Sequence, residues 1–218
     1  MTDARPFEAV LFDFGGVYTS SPFVAAEAMA ESIGATGDVV LPLIFGPYDT
    51  DSDHAWHRAE RGEIPLEDAR VAILAAAAEQ GLTLDLYQLL AFMSDGSGVR
   101  DEMVTRTRAI RAAGMRTALV TNNVVEFADF WRPMLPLDEL FDAVVDSSEV
   151  RMRKPDPAIY MHTLQLIGEV PAERAVFVDD YHGNVAAAER LGMQGILVGA
   201  DPQSAYDALD ALLDARRP

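Results

Sequence analysis

The 218-residue chain contains no cysteine. That excludes a disulfide framework, a thiolate metal site and a cysteine nucleophile together. Basic residues are scarce as well, with 17 Lys and Arg against 35 Asp and Glu, a formal charge of −18 and a pI near 4.4. Nucleic acids and anionic membranes are held by Lys/Arg patches that neutralise phosphate, so this balance argues against both as partners. No apolar run approaches the ~20 residues that span a bilayer. The start Met1-Thr2-Asp3-Ala4-Arg5-Pro6 lacks the basic and then apolar pattern of a secretory signal, and a cytoplasmic location is expected. A small anionic substrate stays open, provided that local cations, a metal ion or backbone amides offset the global field.

What is present is a large apolar fraction, half of all residues, which argues against disorder and suffices for a sizeable core. Residues 9–14 (AVLFDF) read as a buried strand bounded by glycines. Ser20-Ser21-Pro22 then supplies a helix cap followed by a proline suited to a helix's first position. Helical patterns without a strand follow over 23–33, 39–45, 53–61, 66–80 and 84–93, with Asp53 as the expected N-cap of the third. After residues 94–98 the texture changes. Helices over 100–113, 124–135, 156–167, 184–191 and 202–216 alternate with strands over 115–121, 143–145, 175–178 and 194–198. Strands separated by helix-length segments require right-handed crossovers, which predicts an α/β doubly wound parallel sheet. The Rossmann-like core is expected to comprise residues 1–20 and 96–218, with residues 21–95 inserted as a helical block. The second hinge falls somewhere between Ala91 and Arg100.

Polar groups gather where the strands end: Asp13 before Gly15 and Gly16, Thr121-Asn122, Lys154 before Pro155, and Asp179-Asp180. In an open α/β sheet the carboxyl ends of the strands face the ligand crevice, so four such groups on one edge point to an active site. In order and spacing they resemble the motifs of the haloacid dehalogenase superfamily. Asp13-Phe14-Gly15-Gly16-Val17 matches its first motif, Thr121 after Leu119-Val120 the second, Lys154 the third and Asp179-Asp180 the fourth. The helical block looks like that superfamily's cap domain. The stretch 178–184 and the Phe-Asp-Phe-Gly-Gly-Val start look closest to small phosphatases akin to the N-terminal domain of soluble epoxide hydrolase.

The resemblance implies a Mg²⁺-dependent phosphomonoester hydrolase acting on a small phosphorylated metabolite, with Asp13 as nucleophile forming an aspartyl-phosphate. A carboxylate nucleophile splits one hard hydrolysis into two displacements. Two anions repel, so the attack needs positive charge on the phosphoryl oxygens, and a hard divalent ion in an all-oxygen site supplies it. Asp13, Asp180, Asp179 and the Gly15 carbonyl are the implied metal ligands. Lys154 and Thr121 would contact the phosphoryl oxygens, helped by backbone amides at Gly16 and Asn122, while Asn184 would orient the acid pair.

One position departs from the pattern. Most phosphatases of the superfamily carry a general acid two residues after the nucleophile, and here Gly15 stands there. Loss of a positioned acid typically costs ~10²–10⁴-fold. A good leaving group needs the acid less, and Tyr18, His54, His57 and His182 are the nearest candidates to replace it. Two rival readings follow: a 2-haloacid dehalogenase, whose halide needs no proton, and a non-catalytic binding protein of the same fold. The dehalogenase leaves Asp179-Asp180 unexplained, since unneutralised carboxylates beside Asp13 would raise its pKa.

Within the block, residues 47–58 form the most polar and aromatic stretch and are expected to face substrate, with Trp56 mainly a packing residue. Asp49, Asp51 and Asp53 alternate but lack the glycine and distal glutamate of a calcium loop. Of the cations near the site, Arg132, Arg151 and Arg153 are expected to be mostly solvated or paired with the acidic surface. Oligomeric state is not legible.

Overall fold

The computed structural model describes residues 6–95 and 98–214. Gly96 and Ser97, where the second hinge is expected, lie outside the described residues, as do residues 1–5 and the end of the expected tail helix.

Strand β1 (Ala9–Phe12) is buried at every position. Five helices follow with no strand between them: α1 (Pro22–Ser32), α2 (Gly37–Phe45), α3 (Ala55–Glu60), α4 (Leu66–Glu79) and α5 (Leu86–Asp95). The alternating part runs α6 (Asp101–Ala112), β2 (Arg116–Thr121), α7 (Ala128–Trp131), α8 (Leu137–Leu140), β3 (Ala143–Asp146), α9 (Ser147–Val150), α10 (Pro157–Leu166), β4 (Ala175–Asp179), α11 (His182–Arg190), β5 (Gln194–Leu197) and α12 (Gln203–Asp214).

The strands make one parallel sheet in the order β3-β2-β1-β4-β5. Central strands buried on both faces need apolar residues at every position, and β1 and β4 have them up to Asp179. Side chains alternate between two layers. Val10 and Phe12 pack with Leu119, Val178 and Trp131 on one face, whereas Leu11 packs with Val120, Phe177 and Tyr160 on the other. After β3 the chain crosses β1 to reach β4, so the order reverses beside β1. That reversal opens a crevice at the carboxyl ends of β1, β2 and β4.

The helical block buries its own cluster, with Ala26, Met29, Ile44, Ile73 and Leu89 at its centre. Helix α1 starts as the sequence predicts: the Ser21 hydroxyl accepts a bond from Phe23 N–H at 3.3 Å, and Pro22 occupies the first turn. Helix α3 differs, because its N-cap is His54 rather than Asp53, with Nδ1 accepting from Trp56 N–H at 3.2 Å.

The helix expected over 124–135 is broken into α7 between two 3₁₀ turns, Val125–Phe127 and Arg132–Met134. Pro133 has no N–H, and its ring crowds the carbonyl four residues earlier, so an α-helix does not continue through it. The apolar residues that suggested a helix still point inward, with Trp131 and Leu135 buried in the core. Helices α8 and α9, four residues each, have too little length to show a period. Among the described residues no helix is long and apolar enough to cross a membrane.

Candidate active site

Asp13 follows β1 directly, and its N–H donates to the Val178 carbonyl at 2.9 Å, which extends the β1–β4 pairing by one residue. Its Oδ1 accepts from Phe14 N–H at 2.7 Å and lies 2.8 Å from Lys154 Nζ. The same ammonium reaches Asp179 Oδ2 at 2.7 Å. Lys154 is wholly buried, and it is the chain's single lysine.

The loop that carries Lys154 is clasped by the end of β2. Asn122 Oδ1 accepts from Lys154 N–H at 2.8 Å, and Asn122 Nδ2 donates to the Lys154 carbonyl at 2.9 Å. Thr121, the last residue of β2, is buried beside it. Asn184 in the first turn of α11 donates through Nδ2 to both Asp179 oxygens at 3.2 Å, and Tyr181 N–H adds a bond at 2.8 Å. Asp179 is thereby fixed from three directions.

Asp180 is half-buried and accepts a hydrogen bond from the Ser21 side chain, at the start of α1. Gly16 lets it sit there. With φ at +70°, Gly16 holds a left-handed conformation, and a Cβ would fall 2.0 Å from Asp180 Oδ2. Gly15 is different in kind: a Cβ there would lie 3.2 Å from Pro22 Cδ, so the first turn of α1 packs where the superfamily's usual acid would project.

Ligand oxygens of Asp13, Asp179 and Asp180 all come within 4.8 Å of one another. Three carboxylates face one ammonium, an excess of two negative charges. Burial pushes the Asp13 carboxyl well above the usual range; Lys154 opposes this, while Asp179 and Asp180 add to it. Burial and Asp179 push Asp180 up to about 7, against the Ser21 bond and Lys154. For Lys154, burial works against the charge, but Asp13 and Asp179 outweigh it and hold the ammonium above its ordinary pKa. An all-oxygen donor set with two surplus negative charges fits a hard divalent cation such as Mg²⁺.

The candidate replacements for the missing acid are otherwise engaged. Tyr18 bonds Thr107 Oγ1 at 2.6 Å within the core. His57 is buried, with Nε2 at 2.7 Å from the Phe45 carbonyl and Nδ1 accepting from Ser52 N–H at 3.1 Å. His54 caps α3, and His182 is exposed, 3.5 Å from Asp49.

Arg153 corrects the expectation of a solvated cation. It is wholly buried, its Nε donates to Glu60 Oε2 of α3 at 2.7 Å, and its guanidinium lies 4.8 Å from the Tyr48 ring centre. Glu60 Oε1 also accepts from Trp56 Nε1 at 2.8 Å and from the Tyr48 hydroxyl at 3.0 Å, and that hydroxyl accepts from Asn122 Nδ2 at 3.2 Å. A continuous polar chain thus joins the helical block to the loop of Lys154. Arg132 matches its expectation, pairing with Glu149 at 2.7 Å near the surface. Above Gly15, Thr121 and Asn122 opens a cavity of about 470 Å³, with Tyr48 and Trp56 from the 47–58 stretch on its wall.

Comparison with known proteins places the chain in a family. The chain is 32% identical over 214 residues to acyl-CoA dehydrogenase family member 10 of Mus musculus, covering 96% of this chain and 19% of that protein, so it spans about a fifth of this relative's length. It is 29% identical to bifunctional epoxide hydrolase 2 of Rattus norvegicus over 71% of this chain and 29% of that one. Sesquiterpene phosphatase astK of Aspergillus oryzae is 29% identical, with 87% and 89% covered. A solved HAD family enzyme of Bacteroides thetaiotaomicron, in complex with magnesium and inorganic phosphate, shares the fold with a TM-score of 0.58 at 17% identity, covering 89% of this chain and 96% of that one. Residues 7–192 match the haloacid dehalogenase-like hydrolases as a family, and the chain belongs to them.

Proposed function

We propose that this enzyme is a Mg²⁺-dependent phosphomonoester hydrolase that works through an aspartyl-phosphate on Asp13, with residues 21–95 acting as its cap. The observation that carries the reading is the Lys154 ammonium set between Asp13 and Asp179 at 2.8 and 2.7 Å, with Asp180 completing a three-carboxylate cluster. A metal-free dehalogenase has no use for that surplus of acid. The magnesium and phosphate bound in the Bacteroides relative support the same assignment.

Lys154 and Phe14 N–H hold Asp13 Oδ1, and attack is assigned to Oδ2. A bond forms from that oxygen to phosphorus while the bond from phosphorus to the alcohol oxygen breaks, and the departing oxygen takes a proton. Water then attacks the phosphorus, phosphate leaves, and the Asp13 carboxylate returns. The Lys154 charge offsets the approach of two anions, and the Thr121 hydroxyl with the Gly16 and Asn122 amides would donate to the phosphoryl oxygens. Asp13, Asp179, Asp180 and the Gly15 carbonyl would hold Mg²⁺, which when bound supplies positive charge to the phosphoryl group. With no acid at Gly15, turnover is expected to favour good leaving groups such as acyl, aryl or anomeric phosphates.

The test is hydrolysis of p-nitrophenyl phosphate and acetyl phosphate. Activity is expected to require Mg²⁺, to vanish with chelator and to be lost in Asp13→Asn. Chloride release from 2-chloropropionate without metal, together with inert phosphates, would replace the reading with a dehalogenase. Beryllium fluoride binding without turnover of any phosphate would indicate a binding protein.

A further inference from the structure

Resting on the phosphatase reading for the identity of the head group, we infer that the cavity above the nucleophile takes the uncharged aliphatic chain of the substrate, which is a medium-length acyl phosphate whose carboxylate leaves without the acid that Gly15 lacks. Its floor is shared with the reacting end through Gly15, Thr121 and Asn122, so a group bound to phosphorus can extend along this chamber. At about 470 Å³ it falls within the ~300–1,000 Å³ range of sites that enclose a small molecule.

The chemistry of the wall decides what enters. Among the described residues no Lys, Arg or His lines the chamber. A second anionic group on the substrate would find no countercharge and would face Glu60. The two largest polar side chains on the wall, Glu60 and Asn122, are already engaged. Glu60 holds Tyr48, Trp56 and Arg153, while Asn122 holds the backbone of Lys154 and the Tyr48 hydroxyl. A polyhydroxylated sugar would lose its water there and gain few partners in return. Thr19, Ser20, Ser21, Thr121 and Asn123 line the end near the strand edge, and most of the remaining wall is aliphatic and aromatic, including Ala28 of α1, Leu90 of α5 and Trp131 of α7.

The mouth continues the same character. Val24, Phe92 and Phe130, on three different helices, line the chamber and are 56%, 37% and 65% exposed. Large apolar side chains turned to water around one opening are costly for a monomer unless something apolar passes between them. Such a lip lets a chain longer than the chamber remain partly covered.

Binding of n-alkylphosphonates, which resist hydrolysis, tests this separately from turnover. Calorimetric titrations with methyl-, butyl-, octyl- and dodecylphosphonate are made below their micelle concentrations in Mg²⁺. Each methylene that enters is worth up to about fourfold in affinity, so octylphosphonate is expected to bind at least ~100-fold tighter than methylphosphonate. Ala28→Phe, which fills part of the chamber, is expected to move the tightest-binding chain to a shorter length. Leu90→Arg should reverse the preference between octylphosphonate and a chain of equal length ending in carboxylate. Affinity independent of chain length, or an optimum that Ala28→Phe leaves in place, would overturn the inference. Tight, length-dependent binding without turnover of any acyl phosphate or phosphate ester would uphold the chamber and overturn the phosphatase reading instead.

Discussion

Arg153 and Lys154 are neighbours in the chain, both wholly buried, and they serve opposite sides of the molecule. Lys154 turns to the strand ends and meets Asp13 and Asp179; Arg153 turns to the helical block and meets Glu60. The chemistry of the side chains suits the division. A compact ammonium concentrates charge where two carboxylates compete for it, whereas a planar guanidinium lies over the Tyr48 ring while bonding an acid at its edge. One cation is surrounded by more buried negative charge than it can offset; the other bonds the buried Glu60, with the partly exposed Asp51 at 3.5 Å. Functional sites commonly hold charge arrangements that a fold alone would not choose, and on the proposed function the contrast separates a reacting cluster from a structural clasp.

Three substitutions sharpen or break that contrast. The largest effect is expected for Lys154→Met, with kcat on acetyl phosphate falling by ~10²–10³ and a melting temperature that changes less than in the Arg153 variant. Next comes Arg153→Met, which strands Glu60 in the interior. Urea unfolding should show a loss of ~3–5 kcal/mol, the usual result of removing half of a buried pair. If Arg153→Met instead abolished turnover with stability intact, or Lys154→Met unfolded the protein, the division between the two cations would be wrong.

The smallest effect concerns His57, which lies beside the clasp. Burial and the Arg153 charge push its imidazole down to about 3. In the unfolded chain a histidine takes up its proton below about 6.5, so between those values the unfolded state binds more protons and stability falls as pH falls. Above about 6.5 the contribution of neutral His57 is complete. In His57→Gln, urea melts at pH 7 and pH 5 should therefore differ less than in the parent, by at most ~1.4 kcal/mol per pH unit. An equal acid response in both proteins would show that burial and the Arg153 charge do not hold His57 neutral.

The sheet was legible because its signals are local. Residues 9–12 and 175–178 are continuous apolar runs, and each stops at an acid that its own strand places on the carboxyl edge of the sheet. The same locality explains why Asp13, Lys154 and Asp179-Asp180 were found as a set. Arg153 was misjudged because its partner, Glu60, comes from a helix 93 positions earlier in the chain, and no spacing rule reaches that far. Composition also carries a signal for Lys154: the chain has one lysine, and it lies beside Asp13. The broken helix over 124–135 shows a different limit, since periodic apolar residues report which side faces the core and not whether Pro133 permits a regular backbone. The chamber was out of reach for a third reason. Its wall is assembled from α1, α5 and the 121–134 segment, each of which reads alone as an ordinary amphipathic stretch.

Strand β1 has only four residues, yet it is paired on both edges, and the Asp13 amide adds one more bond to β4. Amides in such a position exchange with solvent only when the whole sheet opens, while helices of a separate cluster open in smaller events. The Asp13 carboxylate is therefore fastened to the slowest clock in the protein, and the helices that wall the chamber run on a faster one. Deuterium uptake should register the two as distinct time scales within fifteen residues of chain.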